Sequence, residues 1–174
     1  DWRDSWEGYA GLLEMVDKII VNVPQTTELL LQLNPNLKNI ELIYYGINTE
    51  QIDALPDFKK EDFIVWCSGI RFYKGLDFLI YALANLKKKI PLVVIGVGDG
   101  KEAYIPTESG NIPVRYIDLA YQLGVPVYFL GGLEDDKKFE LIKRAKLAVI
   151  SDISFSIHSL FCLEAVYCGT PCIT

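Results

Sequence analysis

From residue 63 onward, short runs of β-branched and aromatic residues alternate with segments of helical period, and few folds accommodate that order. Residues 63–68 (FIVWCS), 92–95 (LVVI), 127–130 (VYFL), 147–150 (LAVI) and 171–174 (PCIT) read as strands. The pattern between them predicts helices over residues 74–89, 114–123, 134–146 and 159–168. In the first, Leu76, Leu79, Leu83 and Leu86 recur on one stripe, and Lys87, Lys88 and Lys89 suit the negative end of the helix dipole. The third opens with Glu134, Asp135 and Asp136 and closes with Lys143, Arg144 and Lys146. It also places Glu134–Lys138 and Glu140–Arg144 one turn apart. Gly124 and Gly169 stop the second and fourth. Such alternation implies an α/β domain, a parallel sheet with helices on both faces.

Upstream, residues 18–23 (KIIVNV) read as a strand, and Pro24 opens a short helix, PQTTELLLQL, that Asn34-Pro35-Asn36 stops. Residues 40–45 (IELIYY) form another strand, closed by Gly46. The charged stretch 53–62 (DALPDFKKED) reads as a linker between a region 1–52 and a domain 63–174. Residues 101–113, with Pro106, Gly110 and Pro113, read as irregular. The chain lacks an initiator Met and stops in a strand with no covering helix, so it is expected to be a piece of something longer.

Composition removes several function classes. At 174 residues the chain can bury about 70% of its unfolded surface without disulfides or metal. Its 51% hydrophobic content excludes a disordered tail. A net charge of −6 argues against sequence-independent nucleic-acid binding, which needs a basic face. No apolar run approaches the roughly 20 residues of a membrane span, and the opening DWRDSW is no signal peptide. Cys67, Cys162, Cys168 and Cys172 form no CxxC pair and His158 is the single histidine, so free thiols in a reducing cytoplasm and no metal site are expected.

In an open parallel sheet, ligands bind at the carboxyl ends of the strands. The predicted exits are residues 68–75, 96–100, 131–132 and 151–158, all rich in Gly or Ser. Arg71 and Lys74 are the only charges between Asp62 and Asp77. Two cations beside a helix N-terminus suit an anion, above all a phosphate, although a solvated loop is the plainer reading. Glu164 is the only formally charged residue from Ile153 to Thr174, with Leu160, Phe161, Tyr167 and Cys168 as its helical neighbours. It reads either as an acceptor for ligand hydroxyls, such as a ribose diol, or as a structural carboxylate with a local partner. The run GVGDG fits neither a dinucleotide fingerprint, which needs Gly where Lys101 stands, nor a phosphate-binding loop of the Walker type, which needs Gly at Ile95. His158 reads as a packed residue or a contact for a sugar hydroxyl, and no nucleophilic elbow is present.

The blocks IYYGIN, RFYKGLDFLIYAL, LVVIGVGDG, VYFLGGL and LEAVYCGTPCIT, in that order and after DKIIVNVPQTTELL, resemble the group 1 retaining glycosyltransferases of the GT-B fold. The resemblance covers roughly residues 16–174 and implies a Rossmann-like donor-binding domain, with residues 1–52 closing the acceptor-side region. It implies a nucleotide-diphospho-sugar donor whose diphosphate meets Arg71 and Lys74, and whose ribose meets Glu164. It also implies that Ser156, His158, Ser159, Leu160, Gly98, Gly131 and Gly132 line the donor site. The acceptor would be a carbohydrate or a lipid-linked molecule, with peripheral association of the full-length protein at the cytoplasmic face of a membrane. The sugar would be transferred with retention, without cofactor or metal. Three departures stand out. Ser156 takes the place of the first of a pair of glutamates, and His158-Ser159 replaces the usual Phe-Gly. The spacing from Arg71 to Lys74 is also short for the family. A non-catalytic binding module of the same fold and a sugar-nucleotide epimerase are the competing readings. The isolated chain is expected to transfer no sugar.

Overall fold

The computed structural model describes residues 11–98, 104–153 and 159–174. The chain forms two compact units, one ending at Gly46 and the other running from Ile47 to Thr174.

In the first unit, β1 (Ile19–Val21) pairs in parallel with β2 (Ile40–Leu42) across helix α1 (Pro24–Leu33). Pro24 takes the first helical position, where its missing N–H costs nothing, and the Asn34 side chain accepts from Asn36 N–H to turn the chain out. Val21, Leu30 and Leu37 make the small core. The strand expected to reach Tyr45 ends at Leu42. Its three-residue partner runs out there, and Ile43, Tyr44 and Tyr45 are exposed.

The second unit begins upstream of the charged stretch read as a linker. Asn48 caps the short helix α2 (Thr49–Asp53) by accepting from Glu50 N–H, and Ile52 is buried in the main core with Leu55 packed against it. A five-stranded parallel sheet follows, built from β3 (Glu61–Cys67), β4 (Leu92–Ile95), β7 (Val127–Phe129), β8 (Ala145–Val149) and β9 (Cys172–Ile173), in the order β7-β4-β3-β8-β9. The direction of strand succession reverses between β3 and β8, which makes that pair the topological switch point. Helices α3 (Leu76–Ala84) and α4 (Val114–Gln122) bury Leu76, Leu79, Ile80, Leu83, Tyr116 and Ala120 against Trp66 and Val94 on one face. Helices α5 (Asp135–Arg144) and α6 (Leu160–Tyr167) bury Phe139, Ile142, Phe161 and Ala165 against Val65, Val93 and Ala148 on the other. Each of the buried Leu, Ile, Val and Phe side chains contributes about 1.5–3 kcal/mol. The parallel sheet with two helical layers therefore stands as the alternation implied.

Three local expectations change. The first helix of this unit spans Leu76–Ala84 instead of residues 74–89. A separate 3-10 turn (Phe72–Lys74) precedes it, and Leu86 is exposed. Lys89 still serves the helix end by donating to Ala84 O at 2.6 Å. Residues 104–113 are a hairpin, β5 (Tyr104–Thr107) paired antiparallel with β6 (Gly110–Pro113). Both prolines fit because a two-stranded ribbon leaves outer edges where no N–H is needed. In α5, Arg144 pairs with Glu140 at 2.6 Å as expected, but Lys138 turns to Asp135 and Glu164 instead of Glu134, which is the extended N-cap. No helix among the described residues is long and apolar enough to cross a membrane.

The carboxylate of Asp62, at the solvent, accepts from Lys146 at 2.7 Å and from Lys88. Those two bonds hold its carboxyl at about 2, below the ordinary 3.8. A carboxyl depressed on folding adds stability above its unfolded value and loses it as pH falls toward the folded one. The urea midpoint of Asp62→Asn is therefore expected to lie below wild type at pH 7, with the gap closing between pH 4 and pH 2. It should also narrow in 1 M salt, since the pair is exposed. Titrating both proteins in urea across that range is the check.

Candidate functional site

The strand exits at the switch point are bolted together through Ser151. Trp66, fully buried at the end of β3, donates its indole N–H to Ser151 Oγ at 3.1 Å, and Ser151 Oγ donates to Lys74 O at 2.9 Å. Ile153 N–H donates to Tyr73 O at 3.0 Å. Gly75 closes the joint. It sits in the left-handed region at φ +63°, and a Cβ there would lie 1.9 Å from Ser151 O. Only glycine meets both demands.

This joint fixes the two cations differently. Lys74 Nζ reaches Asp152 Oδ2 at 2.7 Å. The Asp152 side chain is only 8% exposed, so Lys74 enters the site already paired. Arg71 lies in extended backbone just before the turn, is exposed, and makes no ion pair or side-chain hydrogen bond among the described residues. Asp77 occupies the first turn of α3, where a negative charge suits the dipole, and its Oδ1 is buried without a hydrogen-bond partner. Over the same exit, then, Lys74 is held by Asp152 and Arg71 has no ion-pair partner among the described residues.

At the neighbouring exits the backbone is taken up by the hairpin. Pairing of β3 with β4 continues past the strands, Ile70 N–H donating to Val97 O and Ile70 bridging to Gly98. Gly98 N–H donates to Asn111 O and Gly132 N–H to Ser109 O, each at 2.7 Å. A Cβ on Gly131 would meet Ser109 at 2.5 Å. The glycines at 98, 131 and 132 thus admit the β5–β6 hairpin at close range, and the N–H groups of Gly98 and Gly132 point into it.

On the opposite helical layer, Glu164 is not alone. Lys138 Nζ lies 3.0 Å from Glu164 Oε1 and 2.8 Å from Asp135 Oδ1, and the Lys138 and Glu164 side chains are each 16% exposed. Burial works to lower the Lys138 ammonium, and its bonds to Asp135 and Glu164 outweigh that, leaving it raised above 10.5. Cys67, at the end of β3 beside this group, is pushed up to about 12 chiefly by burial, which keeps its thiol protonated and inert at neutral pH.

Of the residues singled out in the sequence, the structure brings Arg71 and Lys74 to the β3–β8 exit and Glu164 to the α5–α6 layer. Ser159 is the N-cap of α6 and Leu160 its exposed first residue. Ser156 and His158 lie outside the described residues. Sequence reasoning missed Asp152, Ser151, Trp66 and Lys138. The adjacent pair Ser151-Asp152 at a strand exit was the available signal for the first two; nothing local marked the others. Among the described residues, no group of three or more His, Cys, Asp or Glu side chains could hold a metal ion.

Residues 48–174 match the family model of the glycosyl transferases group 1, and the chain belongs to that family. It is 27% identical over 169 residues to an uncharacterized glycosyltransferase of Methanocaldococcus jannaschii, covering 91% of this chain and 40% of the relative. Among solved structures it is similar to the sucrose-phosphate synthase of Thermosynechococcus elongatus, at TM-score 0.70, 22% identity, and coverage of 94% of this chain and 41% of the other. It is likewise similar to HepE of Anabaena in complex with UDP and glucose, at TM-score 0.68, 19% identity and coverage of 90% and 44%. TarM of S. aureus, in complex with fondaparinux, alpha-GlcNAc-glycerol and UDP, gives TM-score 0.72 at 16% identity, over 97% and 32%. These likenesses show that the chain has the fold of part of a GT-B glycosyltransferase. The chain spans about two-fifths of the length of its curated relative.

The joint makes a graded prediction. Gly124 has φ +63° and open space around its Cβ position, whereas Gly75 combines the same φ with the contact to Ser151 O. Gly124→Ala is expected to cost only the left-handed penalty of about 1–2 kcal/mol, and Gly75→Ala clearly more. Chemical unfolding of both variants tests this; equal losses would show that the Gly75–Ser151 contact carries no weight.

Proposed function

We propose that this chain is the donor-binding part of a glycosyltransferase, taking a nucleotide-diphospho-sugar and passing its sugar to a carbohydrate or lipid-linked acceptor with retention. The observation that carries the reading is the exposed guanidinium of Arg71 at the switch-point exit, without an ion pair among the described residues, with Lys74 one turn on, in a chain of this family. The HepE and TarM complexes contain UDP, which supports a uridine donor here as the first one to try. Arg71 and Lys74 would take up the charge that builds on the diphosphate as it departs, without a metal. Lys74 would share its ammonium between Asp152 and the phosphate, since an ammonium carries three donors. Glu164 would accept from the ribose hydroxyls. Residues 1–46 would belong to the acceptor side of the whole protein, so the 174-residue chain by itself would bind donor but transfer nothing.

Arg71→Ala should weaken UDP binding about tenfold or more, the value of one charge-assisted hydrogen bond, and leave uridine affinity unchanged. Calorimetric titration of the chain with each ligand decides it. Equal losses for UDP and uridine would mean that Arg71 does not read phosphate.

A further inference from the structure

We propose that Lys138 is a positioning residue for the donor's ribose, clamping one oxygen of Glu164 so that the other faces the sugar hydroxyls. This rests on the donor-binding reading above. Lys138 lies on α5 and Glu164 on α6, so neither helix alone sets the carboxylate. Lys138 Nζ holds Glu164 Oε1 at 3.0 Å, while Glu164 Oε2 has no hydrogen-bond partner among the described residues.

The clamp is itself held. Asp135 binds the same ammonium at 2.8 Å, and the ammonium sits 4.3 Å from the centre of the buried Phe139 ring. With two carboxylates and a ring around it, Lys138 has little rotamer freedom left. A carboxylate with one oxygen fixed by an ammonium presents the other in a set direction, with its lone pairs available to two hydroxyl donors. The group also lies beside Cys67, where β3 ends and a bound ligand would cross the sheet. A purely structural clasp between α5 and α6 would give the same distances, so the readout must be recognition of the ribose itself.

The test compares UDP with 2′-deoxy-UDP by calorimetric titration of the 174-residue chain, together with melting temperatures. Wild type is expected to prefer UDP by about tenfold, the value of one charge-assisted bond. Lys138→Met keeps the apolar stem and removes the charge. It should cut that preference to twofold or less, and Lys138→Arg should restore most of it. Should the Met variant fail to fold, Lys138→Gln, which offers a neutral donor, is held to the same ratio. A folded Met or Gln variant that discriminates as wild type does would overturn the positioning role and leave the donor reading in place. Wild type that binds neither UDP, GDP nor ADP would overturn the donor reading and this proposal with it.

Discussion

A single hydroxyl and the carbonyl of the same residue organise the exit of the sheet. Ser151 Oγ accepts from the Trp66 indole N–H and donates to Lys74 O, and the Ser151 carbonyl oxygen fills the space a Cβ on Gly75 would need. The 3-10 turn, the start of α3 and the beginning of the loop after β8 are thereby locked at the point where strand succession reverses. Satisfying the indole N–H matters because Trp66 is fully buried, and an unpaired donor there would cost about 1–3 kcal/mol. The chemistry-bearing side chains inherit their places from this lock. Arg71 projects just before it, Lys74 just inside it, and Asp152 one residue past Ser151.

The hairpin 104–113 divides the rest of the carboxyl edge. By capping Gly98 and Gly132 it satisfies N–H groups that a bare exit would leave for solvent or ligand. The cations lie on the β3–β8 side, where the hairpin makes no backbone hydrogen bond among the described residues. The charge layout has the same economy. At the switch point the two cations stand with two carboxylates, Asp152 on Lys74 and Asp77 in the first turn of α3.

On the other face, burial and pairing act together. Lys138 and Glu164 are each largely buried, so their attraction is less screened than that of the exposed Asp62 pairs. Removing Lys138 would leave the Glu164 carboxylate poorly solvated, whereas removing Glu164 would leave Lys138 its bond to Asp135.

Much was legible without coordinates because it is local. Strand and helix alternation, the acidic start and basic end of α5, the Glu140–Arg144 pair and the two cations after β3 follow from residues a few positions apart, where hydrophobic period and dipole act directly. The family resemblance rested on the same short blocks. Tertiary structure alone decided what depends on register between distant segments: the hairpin that the prolines disguised, the unit boundary at Gly46 ahead of the charged stretch, the partnering of Lys74 with Asp152, and the meeting of Lys138 with Glu164 across 26 residues. The physical reason is that a side chain's helical neighbours are set by a fixed period, whereas its partner on another element is set by how two buried faces pack. Glu164 looked solitary on an apolar stripe; the packing of α5 on α6 supplied its counter-charge.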